Sequence, residues 1–411
     1  MPHTSRNDPH LIGWLSLAQL ISWGSVFYTF ALLLEPVERE LGLSRAQSSL
    51  GFSLALLAEG LLAYPVGRLI DRGHERAVMT GGSLLVALCL ALHSTISSMA
   101  GFYAVWLGLG VGLAATLYPP VFAVVIRRFP NDFRRAIITI TFLGGLASTV
   151  FIPLSAWLIH AFGWRHALLV LAALHLLVCA PLHALVLRHA PAGHGHAAHH
   201  ETSRPSPIKH HLLSAPFLLV GLFIVLLMGV TAALPAHMVS LLRENGLSEA
   251  WVIAVPAAIG VLQVLGRVLL YFFEHHMDLH LANRLISGLI PLGLLVLLMA
   301  PRFGSAQVAL VLLFVLLYGM GNGMLTIVKG TAVAEYVDRT QVASLNGALG
   351  VPMALGRAAT PWLLGLLWHP AGGYDAGLWL MLGLSLVGMA ALARAQQLAR
   401  QRRPAGPHAP G

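Results

Sequence analysis

Residues 67–76 read Gly67-Arg68-Leu69-Ile70-Asp71-Arg72-Gly73-His74-Glu75-Arg76, a short charged stretch with long apolar sequence on either side. So many charges cannot lie in hydrocarbon, where each costs about 2.5–3.5 kcal/mol on insertion scales unless it has a partner or faces water. The stretch must therefore be a loop at a membrane surface. Its arginines, Arg68, Arg72 and Arg76, place that surface on the cytoplasmic side, where Lys and Arg concentrate in loops.

Working outward, the chain has 411 residues, 57% hydrophobic and 10% charged, with mean hydropathy +0.77. Soluble domains carry about 25% charged residues, so this composition is that of a membrane protein. Apolar windows of roughly 18–24 residues, the length needed to cross a bilayer core of about 30 Å, recur along it. They lie at 11–34, 46–66, 77–97, 101–126, 136–159, 167–187, 214–238, 249–270, 283–300, 305–329, 342–366 and 376–396. Lipid offers the backbone no hydrogen bonds, so spans must be helices or closed barrels. The windows are apolar throughout rather than alternating, which excludes a barrel. The expected fold is an all-α membrane protein with twelve transmembrane helices in two six-helix halves and both termini cytoplasmic. Residues 1–10 run straight into a spanning stretch, so no cleavable signal peptide is expected.

The formal net charge of +9 could suggest nucleic acid. About 18 of the 25 Lys and Arg residues fall in predicted cytoplasmic segments, about five outside and two within spans, and this bias accounts for the charge without such a partner. Cys89 and Cys179 fall in apolar spans and read as core residues rather than a disulfide.

At Arg188 the composition changes. From there to His211 the chain is polar, Pro-rich and carries seven histidines. A flexible cytoplasmic linker accounts for this, and no Cys or carboxylate pattern completes a tetrahedral metal site. The expected organisation is an N-terminal half at 1–187, a linker at 188–213, a C-terminal half at 214–396 and a basic tail at 397–411. The halves echo each other: Gly108-x-Gly110-x-Gly112 returns as Gly319-x-Gly321-x-Gly323, Pro153 as Pro361, and Gly67-Arg68 as Gly266-Arg267.

The pattern Gly67-x-x-x-Asp71-Arg72-Gly73, with Arg76 after it, resembles the loop between the second and third helices of the major facilitator superfamily. There the Asp and Arg belong to a charge relay that latches the two halves together. The run Gly73-His74-Glu75 departs from the usual x-Gly-Arg or x-Gly-Lys and sets the glycine turn one residue early. Ser22-Trp23-Gly24 with Phe27-Tyr28, the run from Glu40 to Ala46, Gly163-Trp164-Arg165 and Gln263-Val-Leu-Gly-Arg267 resemble the bacterial branch of monocarboxylate and oxalate–formate carriers. Drug–proton antiporters of the superfamily carry an arginine where this chain has Trp106, and a Gly-Pro signature where it has Ile152-Pro153. Both features are missing. The resemblance implies two parallel halves around a midplane site and secondary transport by alternating access.

Charged residues inside the spans carry the mechanistic information. They are Glu59, Lys329 and Arg357. The resemblance makes the first, fourth, seventh and tenth spans line the central cavity, which puts Lys329 there as a candidate for holding an anionic substrate; the alternative is a lysine snorkelling to the cytoplasmic face. Tyr118, Asn322, Tyr28, Gln19 and His237 are further substrate-binding candidates, with helix packing or capping as the alternative for each. Glu59 is eight residues before Gly67 and Arg357 nine before Leu366. At about 1.5 Å per residue they stand about 12 Å and 13 Å from opposite surfaces. Across a core of about 30 Å that leaves about 5 Å between their depths, so they are expected to pair across the interface. With Asp71, Arg72 and Arg76 they form the proposed coupling and gating set, and Glu59 and His237 are the in-membrane proton acceptors.

No Walker loop, His-Glu-x-x-His stretch or selectivity-filter run occurs, so an ATP-driven pump, an enzyme or a channel is not expected, and neither is a metal or other cofactor. The reading is a monomeric, proton-coupled carrier of a small organic anion in a bacterial inner membrane. The runner-up is an exporter of an amphipathic or drug-like compound, or a carrier of a vitamin-like solute.

Overall fold

The computed structural model describes residues 9–129, 133–188, 211–273, 278–338 and 341–402. The histidine-bearing stretch 189–210 and the tail 403–411 lie outside them. The described chain is helical: α1 (Pro9–Ser22), α2 (Phe30–Leu41), α3 (Arg45–Leu69), α4 (Glu75–His93), α5 (Met99–Thr116), α6 (Tyr118–Arg128), α7 (Phe133–Gly145), α8 (Ala147–Leu174) and α9 (Ala180–Val186) precede the linker. After it come α10 (Ala215–Glu244), α11 (Glu249–Phe273), α12 (Leu279–Met299), α13 (Gln307–Tyr336), α14 (Val342–Ala348), α15 (Gly350–Leu366) and α16 (Asp375–Arg402).

Among the described residues, eight helical runs are long and apolar enough to cross a membrane. One of them, Arg45–His93, holds 49 residues. Straight, it would be about 73 Å long, far more than a bilayer core of about 30 Å. It is not straight: Gly73 sits at φ +87° inside it, a conformation L side chains avoid. The charged stretch is thus a turn built on Gly73. The runs Arg135–Val186 and Leu279–Tyr336 are likewise broken, at Gly163 (φ +78°) and Gly304 (φ +49°).

Buried apolar side chains form three clusters. Two are built from residues 11–187, joined by Ala232, Ala236 and Ala358. The third is built from residues 217–395, joined by Ala31, Leu32 and Ile152. The glycine triplets explain how the helices within each set come so close. A Cβ on Gly110 would stand 2.3 Å from the Ala55 carbonyl oxygen of α3, and one on Gly112 2.5 Å from the Val86 side chain of α4. In the second set a Cβ on Gly323 would stand 2.1 Å from the Gln263 carbonyl of α11, and one on Gly321 2.9 Å from Leu289 of α12. Each triplet therefore wedges its helix between the same two predecessors in its own set, as a duplicated unit would.

The obstacle at Gly110 is backbone and cannot rotate away. Overpacking of this kind costs about 1–3 kcal/mol. Gly110→Val is expected to lower the melting temperature of the purified protein clearly below that of Gly13→Val, where nothing lies within 4 Å of the added Cβ. Equal melting of the two variants would show that the close approach is not required.

Candidate functional site

The two sets of helices meet along a seam, and its polar groups fall at distinct levels. At the end bearing Arg45, the linkage is dense. Arg45 opens α3 after a Ser44–Gln47 capping box and is 8% exposed. Its Nε lies 2.9 Å from Glu38 Oε1, its Nη1 donates to the Tyr374 hydroxyl, and its guanidinium stands 4.6 Å above the Trp368 ring. Such a stack attracts the cation to the ring face. Beside it Arg243 of α10 holds Glu35 at 2.5 Å. His237 is fully buried here: Nδ1 is 3.0 Å from the Tyr374 hydroxyl, Nε2 3.0 Å from the Pro361 carbonyl, and Ser49 Oγ lies 3.3 Å away. Because the Pro361 oxygen can only accept, Nε2 carries a proton, and in the neutral ring Nδ1 then accepts from Tyr374.

Deeper along the seam, Gly60 of α3 faces Ala354 of α15, 2.2 Å from where a glycine Cβ would stand. One residue earlier, Glu59 Oε2 lies 3.2 Å from Arg357 Nη2. Glu59 Oε2 makes no aligned hydrogen bond, so the two are held by charge rather than by a directed bond. Lys329 on α13 is partly buried and within electrostatic reach of both Arg357 and Glu59. Asn322, also partly buried, is seven residues before it and so on the same helix face.

Tyr28 and Tyr118 flank a second cation, Arg267 of α11. Its Nε donates to the Gly323 carbonyl at 3.2 Å and its Nη1 to that of Thr141 at 3.5 Å. Tyr28 also lies beside Gln263. Among the described residues neither Lys329 nor Arg267 has a carboxylate within 4.0 Å.

Gln19 is placed differently from the rest: fully buried, it donates from Nε2 to the Thr116 carbonyl at 2.5 Å. Residue 120 is proline, so that carbonyl has no amide four residues on to accept from. The fourth span breaks at Leu117, which is extended at ψ −166°, and Gln19 satisfies an acceptor the break exposes.

At the opposite end, Asp71 and Arg72 are exposed. The Asp71 carbonyl accepts from Arg127 at 3.4 Å, and Arg76 Nε donates to the Ala184 carbonyl at 2.8 Å. The buried anchor of the loop is Glu75, bound to Arg127 at 2.5 Å and facing Arg128 at 3.7 Å. These partners all belong to the first set of helices. Among the described residues, no ion pair or hydrogen bond of this loop crosses the seam.

The Major Facilitator Superfamily matches residues 15–277. The chain belongs to that superfamily. Among curated proteins this facilitator is 30% identical to "Monocarboxylate transporter 13" of Bos taurus over 315 residues, covering 71% of this chain and 69% of that one. It is 28% identical to the "2-nitroimidazole transporter" of Escherichia coli (strain K12) over 361 residues, covering 84% of each. Among solved structures, a bacterial homolog of the human lysosomal transporter Spinster in an inward-facing, unoccupied conformation superposes with TM-score 0.71 at 16% identity, covering 98% of this chain and all of that one. The nucleoside transporter NupG superposes with TM-score 0.72 at 17% identity, covering 95% and 100%.

Sequence reasoning overlooked three charged residues of this facilitator: Arg267 and Arg45 on the seam, and Glu75 inside the first set of helices. Arg267 stood out as part of a motif, not as a charge in a span, because it is near one end of α11 and its side chain reaches back along the seam. Arg45 and Glu75 lie at helix ends, where charges are ordinary; only burial distinguishes them. His175 and His183 are buried and bonded to Ser25 at 2.7 Å and Ser83 at 2.9 Å, which makes them internal ties of the first set.

The Glu59–Arg357 pair gives a direct test. Removing one partner from a buried pair costs about 3–5 kcal/mol, because the other charge is left alone. Glu59→Arg and Arg357→Glu are each expected to abolish transport, and the double exchange to restore part of it. No recovery, with both single variants and the double variant inserted normally, would separate the pair from the transport cycle.

Proposed function

We propose that this facilitator is a secondary transporter that carries a small organic anion across a bacterial inner membrane by alternating access, in symport with protons. One observation carries the anion: Lys329 and Arg267 face the seam with no carboxylate within 4.0 Å among the described residues. A cation held this way in a low-dielectric seam attracts an anionic ligand, and a charge-assisted bond there contributes about 1.5–3 kcal/mol.

The same geometry supports further parts of the reading. Taking the breaks at Gly73, Gly163 and Gly304 as reversals, and adding α14–α15, gives twelve crossings in two six-helix halves. The Gly67–Arg76 loop and both ends of the chain then lie in the cytoplasm, by the distribution of arginines. Cross-seam bonds at the Arg45 end, and their absence at the Gly67 loop among the described residues, support a state closed toward the outside and accessible from the cytoplasm. In the opposite state Asp71 and Arg72 latch the halves. Glu59 is the proton acceptor, and its protonation releases Arg357 during the swing; His237, with both nitrogens occupied, serves the outer gate. The protein acts as a monomer.

Export of an amphipathic compound is the second reading; the long alignment with the 2-nitroimidazole transporter favours such a compound over a carboxylate. Uptake of radiolabelled carboxylates into proteoliposomes, with and without a pH gradient, decides between them. Proton symport predicts accumulation that collapses when the gradient is removed. No carboxylate uptake under any gradient, with transport of a neutral or cationic amphiphile, would select the exporter. For a carboxylate that is carried, Lys329→Ala and Arg267→Ala are each expected to weaken binding about 10- to 150-fold, and Lys329→Arg far less. Unchanged affinity in Lys329→Ala would mean that the lysine only snorkels. Asp71→Asn is expected to slow transport strongly while the protein still inserts; a normal rate would remove Asp71 from the latch.

A further inference from the structure

The two sides of the seam differ in chemistry. The cations Lys329, Arg267 and Arg357 all stand on helices after the linker. Of these, Arg267 lies beside Tyr28 and Tyr118, and the stretches that carry those tyrosines, residues 9–34 and 99–126, contain no Asp, Glu, Lys or Arg. They present aromatic rings instead. Tyr118 stacks on Phe122 with centroids 5.2 Å apart, and Trp23 lies 5.2 Å from Tyr118. Trp23 continues to Phe27 at 5.2 Å, and Phe27 to Tyr28 at 5.3 Å. Phe27 is buried, whereas Trp23, Tyr28, Tyr118 and Phe122 all remain partly exposed. Tyr28 packs against the apolar clusters of both sides, which places this wall on the seam.

The wall ends at the cation. Gly144 and Gly145 of α7 are adjacent. A Cβ on Gly144 would stand 2.5 Å from the Tyr118 hydroxyl, and one on Gly145 3.9 Å from Arg267 Nη1. This bare shelf of backbone carries the phenol edge and the guanidinium side by side. The π-helical turn Trp23–Tyr28 helps aim the wall: Thr29 Oγ1 is bonded to the Gly24 carbonyl at 2.9 Å and to Ser155 at 2.8 Å, and Ser25 to His175. Local π turns of this kind shift side-chain direction and recur at functional sites.

We infer that the anion taken up at this seam is an aryl carboxylate, its ring lying on the Trp23–Tyr118–Phe122 wall and its carboxylate meeting Arg267. The inference rests on the anion reading and narrows it. A saturated carboxylate of the same size gains only from burial on such a wall. An aromatic ring gains in addition from offset or edge-on contact with the ring quadrupoles.

The test is competition against radiolabelled benzoate by equilibrium dialysis, using the full chain in lipid nanodiscs, with cyclohexanecarboxylate and benzyl alcohol as competitors. Unlabelled benzoate is expected to compete about 3- to 10-fold better than cyclohexanecarboxylate, the range of one to two ring contacts. Trp23→Leu and Phe122→Leu should bring that ratio close to one, and Trp23→Tyr should keep it. Equal competition by benzoate and cyclohexanecarboxylate, or no binding of benzoate, overturns the aromatic assignment. Equal competition with both carboxylates still well ahead of benzyl alcohol leaves the anion reading standing. If benzyl alcohol competes as well as either carboxylate, the anion reading fails too.

Discussion

A charge in hydrocarbon needs either a partner or water, and this constraint orders the whole molecule. Apolar helices supply the span, but they give two packed sets of helices no particular way to face each other. Charged residues at the seam supply that orientation, because several of them find their partners on the opposite set. Arg45, Arg243, Glu59, Arg357, Lys329 and Arg267 all lie along the seam. At the Arg45 end they are closed by carboxylates, phenol and indole; at mid-depth a bare ion pair joins the sets; Lys329 and Arg267 have no carboxylate within 4.0 Å among the described residues.

The polar bonds along the seam are unequal. The Arg45 cluster combines ion pairs, a cation–π stack and a directed chain from Arg45 through Tyr374 and His237 to the Pro361 carbonyl. The Glu59–Arg357 contact has charge but no hydrogen-bond alignment, so little geometry is lost on separation. Within each set the glycine contacts bring helices together backbone against backbone and side chain.

Proline breaks add the local adjustments. The break before Tyr118 leaves carbonyls without amide partners, and lipid supplies none. Gln19 takes the Thr116 carbonyl, and the restarted helix sets Tyr118 against both Trp23 and Phe122. A residue with the polarity of a binding group thus satisfies the helix break beside the aromatic wall.

Much of the fold was legible in the chain itself. Span length, helical character and the turn at Gly73 follow from hydropathy, from the charge of residues 67–76 and from the freedom of glycine, all local properties. Even the depth of Glu59 and Arg357 follows from helical rise, and the structure has them 3.2 Å apart. What the sequence could not decide was which partner each polar group finds. Gln19 and His237 had the polarity of cavity residues, yet one satisfies a broken helix and the other is enclosed in the Arg45 cluster. Arg267 had the position of an interfacial charge, yet it reaches back to Tyr28 and Tyr118. Glu75, rather than Asp71, holds Arg127. The reason is physical: hydropathy and helical period set depth and face, whereas a hydrogen bond or ion pair depends on the azimuth at which distant helices pack. That azimuth is decided by glycine contacts and helix breaks that act only once the whole bundle has formed.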